Sequence, residues 1–127
     1  MSEVSGNAAA VRAAGTLAGR HAAQADAERR LRPEVVDALV GAGFGRWFTP
    51  PEFGGEPCGY RDLAEAVITV GEGCASAAWV AGLLASSARF AGFLPPPGQA
   101  DVWEQGPDTR LVAAVIPQGT AAEVDGG

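Results

Sequence analysis

Apolar residues recur along most of this chain at the spacing of three and four that is typical of α-helices. One such stripe begins after Pro33, which suits a first helical position, and ends at Gly43, which suits a helix exit. The first helix has only Val11 and Leu17 besides alanines on its apolar face, so we expect it to pack closely against another helix or to fray. The stripes predict five helices, over residues 8–30, 33–43, 60–71, 75–93 and 99–104.

Residues 44–59 cannot continue this helical pattern. They contain three prolines and four glycines, which interrupt regular structure, together with phenylalanines and a tryptophan that need burial. This combination predicts an ordered loop that is pressed against the helices.

The helix predicted over residues 75–93 differs from the others in charge. It has no charged residue between Glu72 and Arg89, which predicts burial on most of its sides. Its larger side chains share one side of the helix: Trp79, Leu83 and Phe90, with Val80 and Leu84 beside them.

The pattern changes near the end of the chain. Residues 111–116 form a short apolar run that Pro117 closes, which is typical of a buried strand, and residues 121–125 resemble a second strand. Two strands alone are marginally stable, so we expect them to belong to a larger sheet. The sequence therefore predicts a mainly α fold, with a helical domain over residues 1–107 and the incomplete start of a β domain over residues 108–127.

Composition and charge exclude several classes of function. The chain has 127 residues, no lysine and a formal charge of −6, which argues against binding to nucleic acid. The longest uncharged stretch of the helical part, 16 residues from Gly73 to Ala88, is shorter than the about 20 residues that a membrane-spanning helix needs. The first residues lack the basic start and apolar run of a secretory signal, so we expect a cytoplasmic location.

Residue types that carry chemistry are sparse. His21 is the single histidine, and Cys58 and Cys74 have no second cysteine pair, so neither a metal site nor a nucleophile–base pair is predicted. The glycines of residues 41–45 resemble a dinucleotide-binding fingerprint, but they stand at a helix exit instead of between a strand and a helix. We therefore expect a helix C-cap there, and we assign no catalytic residue to this chain.

Taken in order, several segments resemble the N-terminal domain of the acyl-CoA dehydrogenase superfamily. In that superfamily a helix that ends in a glycine turn leads into a Pro-x-x-aromatic-Gly-Gly loop, which corresponds here to the loop ending at Gly55. Three segments, Cys74–Val80 with Trp79, Gln99–Trp103 and Val115–Gly127, together resemble the branch of two-component flavin monooxygenases that hydroxylate aromatic or polyketide-like substrates. The resemblance covers about residues 28–127 and rests on Leu31–Leu39, Ala42–Phe44, Thr49–Gly55, Cys74–Val80, Gln99–Trp103 and Val115–Gly127.

This resemblance implies a longer protein of three domains, with flavin (FMN or FAD) between the middle and C-terminal domains. A separate flavin reductase would supply reduced flavin, and the C-terminal helices would build a homotetramer. Trp79 and Leu83 match the wall of the substrate pocket, and Pro117 and Gly119 match the backbone that approaches flavin. The catalytic base would lie beyond Gly127, so we expect this chain to be an N-terminal fragment that is inactive alone.

Two other functions stay open at this point. The first is a fragment of a true acyl-CoA dehydrogenase, which uses FAD to oxidise a carbon–carbon bond. That branch has Thr-Glu-Pro followed by Gly-Ser-Asp where this chain has residues 115–117 and 119–121, a departure that counts against acyl-CoA oxidation. The second is a non-catalytic helical module that docks on a partner through an exposed aromatic loop at residues 44–59.

Overall fold

A computed structural model describes residues 2–56 and 58–126, and of residues 2–6 it describes the backbone alone. The regular structure of these residues is helical. Within these residues the α-helices are α1 Ser2–Arg20, α2 Ala22–Glu28, α3 Pro33–Gly41, α4 Tyr60–Gly71, α5 Ala75–Ala91 and α6 Pro96–Val102. Two one-turn 3-10 helices, Phe44–Arg46 and Pro51–Phe53, lie in the loop between α3 and α4. None of the described helices has both the length and the apolar character to cross a membrane. The predicted mainly α fold class is confirmed.

Proline and glycine set several helix boundaries. Pro33 occupies the first turn of α3, and Gly43 follows that helix with a φ of 96°, a conformation that costs glycine little. The helix predicted over residues 8–30 is divided at His21 into α1 and α2. The short helix predicted from residue 99 begins earlier, at Pro96, because proline favours the first turn of a helix.

α1 packs closely against α4, which is one of the two outcomes that its small side chains predicted. Ala14 and Ala18 are buried. A Cβ added at Gly15 would lie 3.0 Å from the carbonyl oxygen of Thr69, and a Cβ at Gly73 would overlap the carbonyl oxygen of Gly15. Because glycine has no Cβ, the two backbones approach more closely than larger residues would allow.

The loop between α3 and α4 is pressed against the helices, as predicted. Phe44 is fully buried and Trp47 nearly so, and their rings stack with centroids 5.5 Å apart. Leu39 of α3 and Val70 of α4 belong to the same core. The loop therefore supplies large side chains to a core whose helices contribute many alanines.

The prediction that α5 is buried on most sides is wrong. Trp79 is 71% exposed, and Leu83 and Phe90 are 42% and 56% exposed. α5 lies against α4 and the first 3-10 helix, and close packing there favours small side chains. The residues that α5 buries are Ala77, Ala78, Ala81, Leu84, Ala85, Ser87 and Ala88.

The two strands predicted near the end of the chain are not formed. Residues 111–126 have no helix or strand, and Val112 and Val115 are 87% and 84% exposed. The backbone hydrogen bond that involves residues 111–116 is local, from the N–H of Gln118 to the carbonyl of Ile116. A strand requires a backbone partner, and the described residues supply none to this run.

Candidate functional site

A groove between α4 and α5 brings the two predicted pocket residues together. Trp79 and Leu83 stand one helical turn apart on α5, and both line a cavity of about 480 Å³, which we call the α4–α5 groove. The remaining lining residues are small or apolar: Val67, Gly71, Ala75, Ala78, Gly82 and Ser86.

Small residues on both helices keep this groove open. A Cβ on Gly71 would lie 3.5 Å from the Cβ of Ala78, and a Cβ on Gly82 would lie 4.0 Å from a methyl group of Val67. Longer side chains at the glycine positions would occupy the space instead. Because the polar side-chain groups in the lining are the Ser86 hydroxyl and the indole N–H of Trp79, the groove suits a mainly apolar ligand.

Trp79 also borders a second cavity of about 480 Å³, which we call the arginine cleft. Asp26, Arg29 and Arg30 line it from the end of α2, and Ser76 lines it from the first turn of α5. Arg29 ends α2 in the left-handed conformation, with a φ of 52°. The cleft therefore combines charged side chains with an aromatic one.

Cys58 lines a third cavity, of about 320 Å³. Burial raises the pKa of Cys58, and the carboxylates of Glu56 and Asp62 raise it further. A thiol that is held protonated is a poor nucleophile. Arg46 lines the same cavity, but its guanidinium is already bound to Asp108. This cavity therefore presents no activated group.

Three named proteins are similar to this chain over most of its length. The FADH(2)-dependent resorcinol hydroxylase, oxygenase component, of Rhizobium sp. (strain MTP-10005) is 36% identical over 123 residues, which cover 92% of this chain and 30% of the relative. The p-hydroxyphenylacetate 3-hydroxylase, oxygenase component, of Acinetobacter baumannii is 29% identical over 108 residues, or 85% of this chain and 26% of the relative. A flavin-dependent monooxygenase, oxygenase subunit, of Mycobacterium tuberculosis (strain ATCC 25618 / H37Rv) is 32% identical over 99 residues, or 78% and 25%.

The chain is a homologue of flavin-dependent monooxygenase oxygenase components. The resemblance drawn from the sequence alone is thereby confirmed, and the acyl-CoA dehydrogenase-like superfamily is consistent with it. The chain spans about a quarter to a third of the length of these relatives, from 25% to 30%. No protein-family model and no solved structure matches it.

In this chain, Pro117 and Gly119 lie outside the three cavities described above. Both residues are exposed, and a Cβ at Gly119 would meet no atom within 4 Å. The structure therefore brings Trp79 and Leu83 together but encloses neither Pro117 nor Gly119. The flavin contact assigned to these two residues stays a prediction.

The surroundings of His21 and Cys74 in this chain suggest structural roles for both residues. His21 Nε2 lies 3.8 Å from Glu34 Oε1, and Cys74 is buried at the N-terminal end of α5. Over residues 2–56 and 58–126, no three His, Cys, Asp or Glu side chains form a group that could hold a metal ion.

Two features of this chain were not predicted from its sequence. One is the arginine cleft: the Arg29-Arg30 pair is visible in the sequence, but its position beside Trp79 depends on the fold. The other is a junction between the loop that follows α3 and the segment that follows α6. No short-range pattern connects its three contacts, which are Arg46 with Asp108, Thr49 with Pro107, and Phe53 with Trp103.

Proposed function

We propose that this chain is part of the oxygenase component of a flavin-dependent monooxygenase and forms one wall of the pocket for an aromatic or polyketide-like substrate. The observation that carries this proposal is the α4–α5 groove, in which Trp79 and Leu83 line one apolar cavity. Its volume of about 480 Å³ lies within the range of roughly 300–1,000 Å³ of small-molecule sites.

The names of the relatives support an aromatic substrate. They are a resorcinol hydroxylase, a p-hydroxyphenylacetate 3-hydroxylase and an indole-3-acetate monooxygenase, and all three names contain a ring compound. An exposed indole such as that of Trp79 offers a flat face for stacking with a ring. This agreement between side chain and names favours the oxygenase over an acyl-CoA dehydrogenase.

The cofactor and the partners follow from the same proposal. Flavin, as FMN or FAD, would activate O₂ for oxygen transfer to the substrate, and a flavin reductase would keep it reduced. The residues around Pro117 and Gly119 form none of the three cavities, so we derive no step through flavin and leave its binding to the longer protein. The homotetramer, the cytoplasmic location and the two-domain division of this chain stay predictions.

The helical interaction module is the weaker alternative. It requires an exposed aromatic loop, but Phe44 and Trp47 of that loop are buried in the core. The exposed aromatic side chains of α5, Trp79 and Phe90, lie on another surface, and Trp79 lines the groove.

Binding of resorcinol to the 127-residue chain, measured by ligand-observed NMR, tests the pocket wall. We expect Trp79→Ala to weaken binding about two- to tenfold, because aromatic stacking contributes about 0.5–1.5 kcal/mol. Leu83→Ala should weaken it as well, since Leu83 lines the same groove. Phe90→Ala is the matched control, since Phe90 is an exposed ring on α5 outside the groove. Equal affinities in the Trp79 and Phe90 variants would contradict the proposal.

A further inference from the structure

The arginine cleft is distinct from the α4–α5 groove although Trp79 borders both. Leu83 lines the groove only, and Arg29 and Arg30 line the cleft only. The indole thus borders both an apolar cavity and a cavity that contains charged side chains. A ligand in the cleft meets a different set of side chains from a ligand in the groove.

The two guanidinium groups of the cleft are available to a ligand. In the described part of the chain, no carboxylate lies within 4.0 Å of the Arg29 or Arg30 guanidinium. By contrast, Arg32 and Arg61 are each within 3.3 Å of a glutamate oxygen. Although the net charge of the chain is −6, two cationic side chains, Arg29 and Arg30, line this one cavity.

The backbone holds both arginines at this cavity. Arg29 takes the left-handed conformation at the end of α2, and the N–H of Arg30 donates to the carbonyl of Ala25. Ser76 also lines the cleft, from the first turn of α5, where no acidic side chain is present. The Asp26 carboxylate also lines the cleft and offsets one of the two positive charges.

The rest of the lining of the cleft is largely apolar and aromatic. Trp79 is 71% exposed, and Leu31 and Val80 line the cavity beside it. A planar ring can lie against the indole, while a carboxylate attached to that ring, directly or through a methylene group, can accept hydrogen bonds from the planar guanidinium groups. An uncharged ring would form no ion pair with the arginines, and a small inorganic anion would not stack on the indole.

We propose that the arginine cleft is a binding site for an aromatic carboxylate, with its ring against Trp79 and its carboxylate at Arg29 and Arg30. The site does not depend on the proposed monooxygenase activity. The linings of the cleft and of the α4–α5 groove have two residues in common, Ala75 and Trp79.

Phenylacetate and phenylacetamide, which share a ring and differ in charge, test this site on the 127-residue chain. We expect phenylacetate to bind at least about fivefold more tightly by ligand-observed NMR, and we expect salt to reduce the difference, since salt screens exposed charges. Fluorescence gives a second readout, because Trp79 is exposed whereas Trp47 and Trp103 are 5% and 3% exposed. Equal affinity for the two compounds overturns the proposal.

Variants then locate the carboxylate. Arg29→Gln with Arg30→Gln should abolish the preference for phenylacetate, and Asp26→Asn should strengthen it. Arg61→Gln is the matched control, because Arg61 is an exposed arginine on α4 paired with Glu65. A double Arg29/Arg30 variant that behaves like the Arg61 variant overturns the proposal, as does unchanged phenylacetate binding in Trp79→Ala.

The Leu83→Ala variant separates this site from the proposed pocket wall. Loss of resorcinol binding with an unchanged preference for phenylacetate supports both sites as independent. Loss of the phenylacetate preference in Leu83→Ala places the anion in the groove and overturns the cleft proposal while leaving the pocket wall intact. Circular dichroism of each variant verifies that the helices are retained.

Discussion

The guanidinium of Arg46 and the carboxylate of Asp108, 62 positions apart, form a two-pronged ion pair in which Arg46 Nε donates to Asp108 Oδ1 over 2.8 Å. The same carboxylate raises the pKa of Arg46. The pair joins the loop after α3 to the segment after α6. Thr49 Oγ1 adds a hydrogen bond of 3.1 Å to the carbonyl of Pro107 in the same junction.

We expect this ion pair to contribute measurably to stability. Both side chains are more than one-third exposed, so solvent limits their coupling to about 0.5–1 kcal/mol. A double-mutant cycle with Arg46→Ala and Asp108→Ala, followed by urea unfolding, measures it. The control cycle is Arg61 with Glu65, which is far more exposed and should give about 0.3 kcal/mol. A coupling no larger than that of the control would show that the junction is held by its other contacts.

Gly73→Ala should destabilise the fold strongly. A Cβ at position 73 would overlap the carbonyl oxygen of Gly15, so α1 and the end of α4 must move apart. Overpacking of this kind costs about 1–3 kcal/mol. Gly41→Ala is the matched control, because nothing lies within 4 Å of a Cβ there, and we expect it to be neutral or stabilising by up to about 1 kcal/mol. Equal midpoints of thermal unfolding in the two variants would refute the close α1–α4 contact.

Truncation of a buried and of an exposed aromatic side chain should change the free energy of unfolding by very different amounts. Phe44 is fully buried in the core, so Phe44→Ala should lower the free energy of unfolding by about 3–5 kcal/mol. Trp79 is mostly exposed, so Trp79→Ala should change it by no more than about 0.5 kcal/mol. Chemical denaturation measures both. A large loss of stability in Trp79→Ala would mean that α5 packs its outer face against the protein.

The thiol of Cys58 should titrate at a higher pH in the folded chain than in the unfolded chain. Burial and then the nearby carboxylates raise its pKa, so folding favours the protonated form. The resulting stability is complete below the unfolded pKa and is lost as the pH rises through the folded pKa.

Alkylation by iodoacetamide between neutral and alkaline pH checks this prediction in Cys74→Ser, which leaves Cys58 as the single thiol. The rate should rise at a higher pH in buffer than in concentrated urea. A midpoint in the folded chain at or below that of the unfolded chain would be inconsistent with the raised pKa.

Periodicity predicted the helices better than it predicted their orientation. α4 runs from Tyr60 to Gly71, as the apolar stripe indicated, but it buries Leu63, Ala66 and Val70 and leaves Ile68 64% exposed. α5 has two apolar faces at helical spacing, a small one that includes Ala81 and a large one that includes Trp79. Both satisfy the same pattern, and the sequence offered no reason to place the alanines inside.

The sequence by itself determined the helix boundaries at Pro33 and Gly43, the burial of the loop aromatics and the family resemblance. These depend on local backbone preferences, on the hydrophobicity of single segments and on their order. Tertiary structure alone decided the rest: which face of α5 is buried, how Arg29 and Arg30 come to lie beside Trp79, and how Arg46 meets Asp108. Such choices depend on how closely two backbones can approach, which is a property of pairs of elements rather than of any one segment.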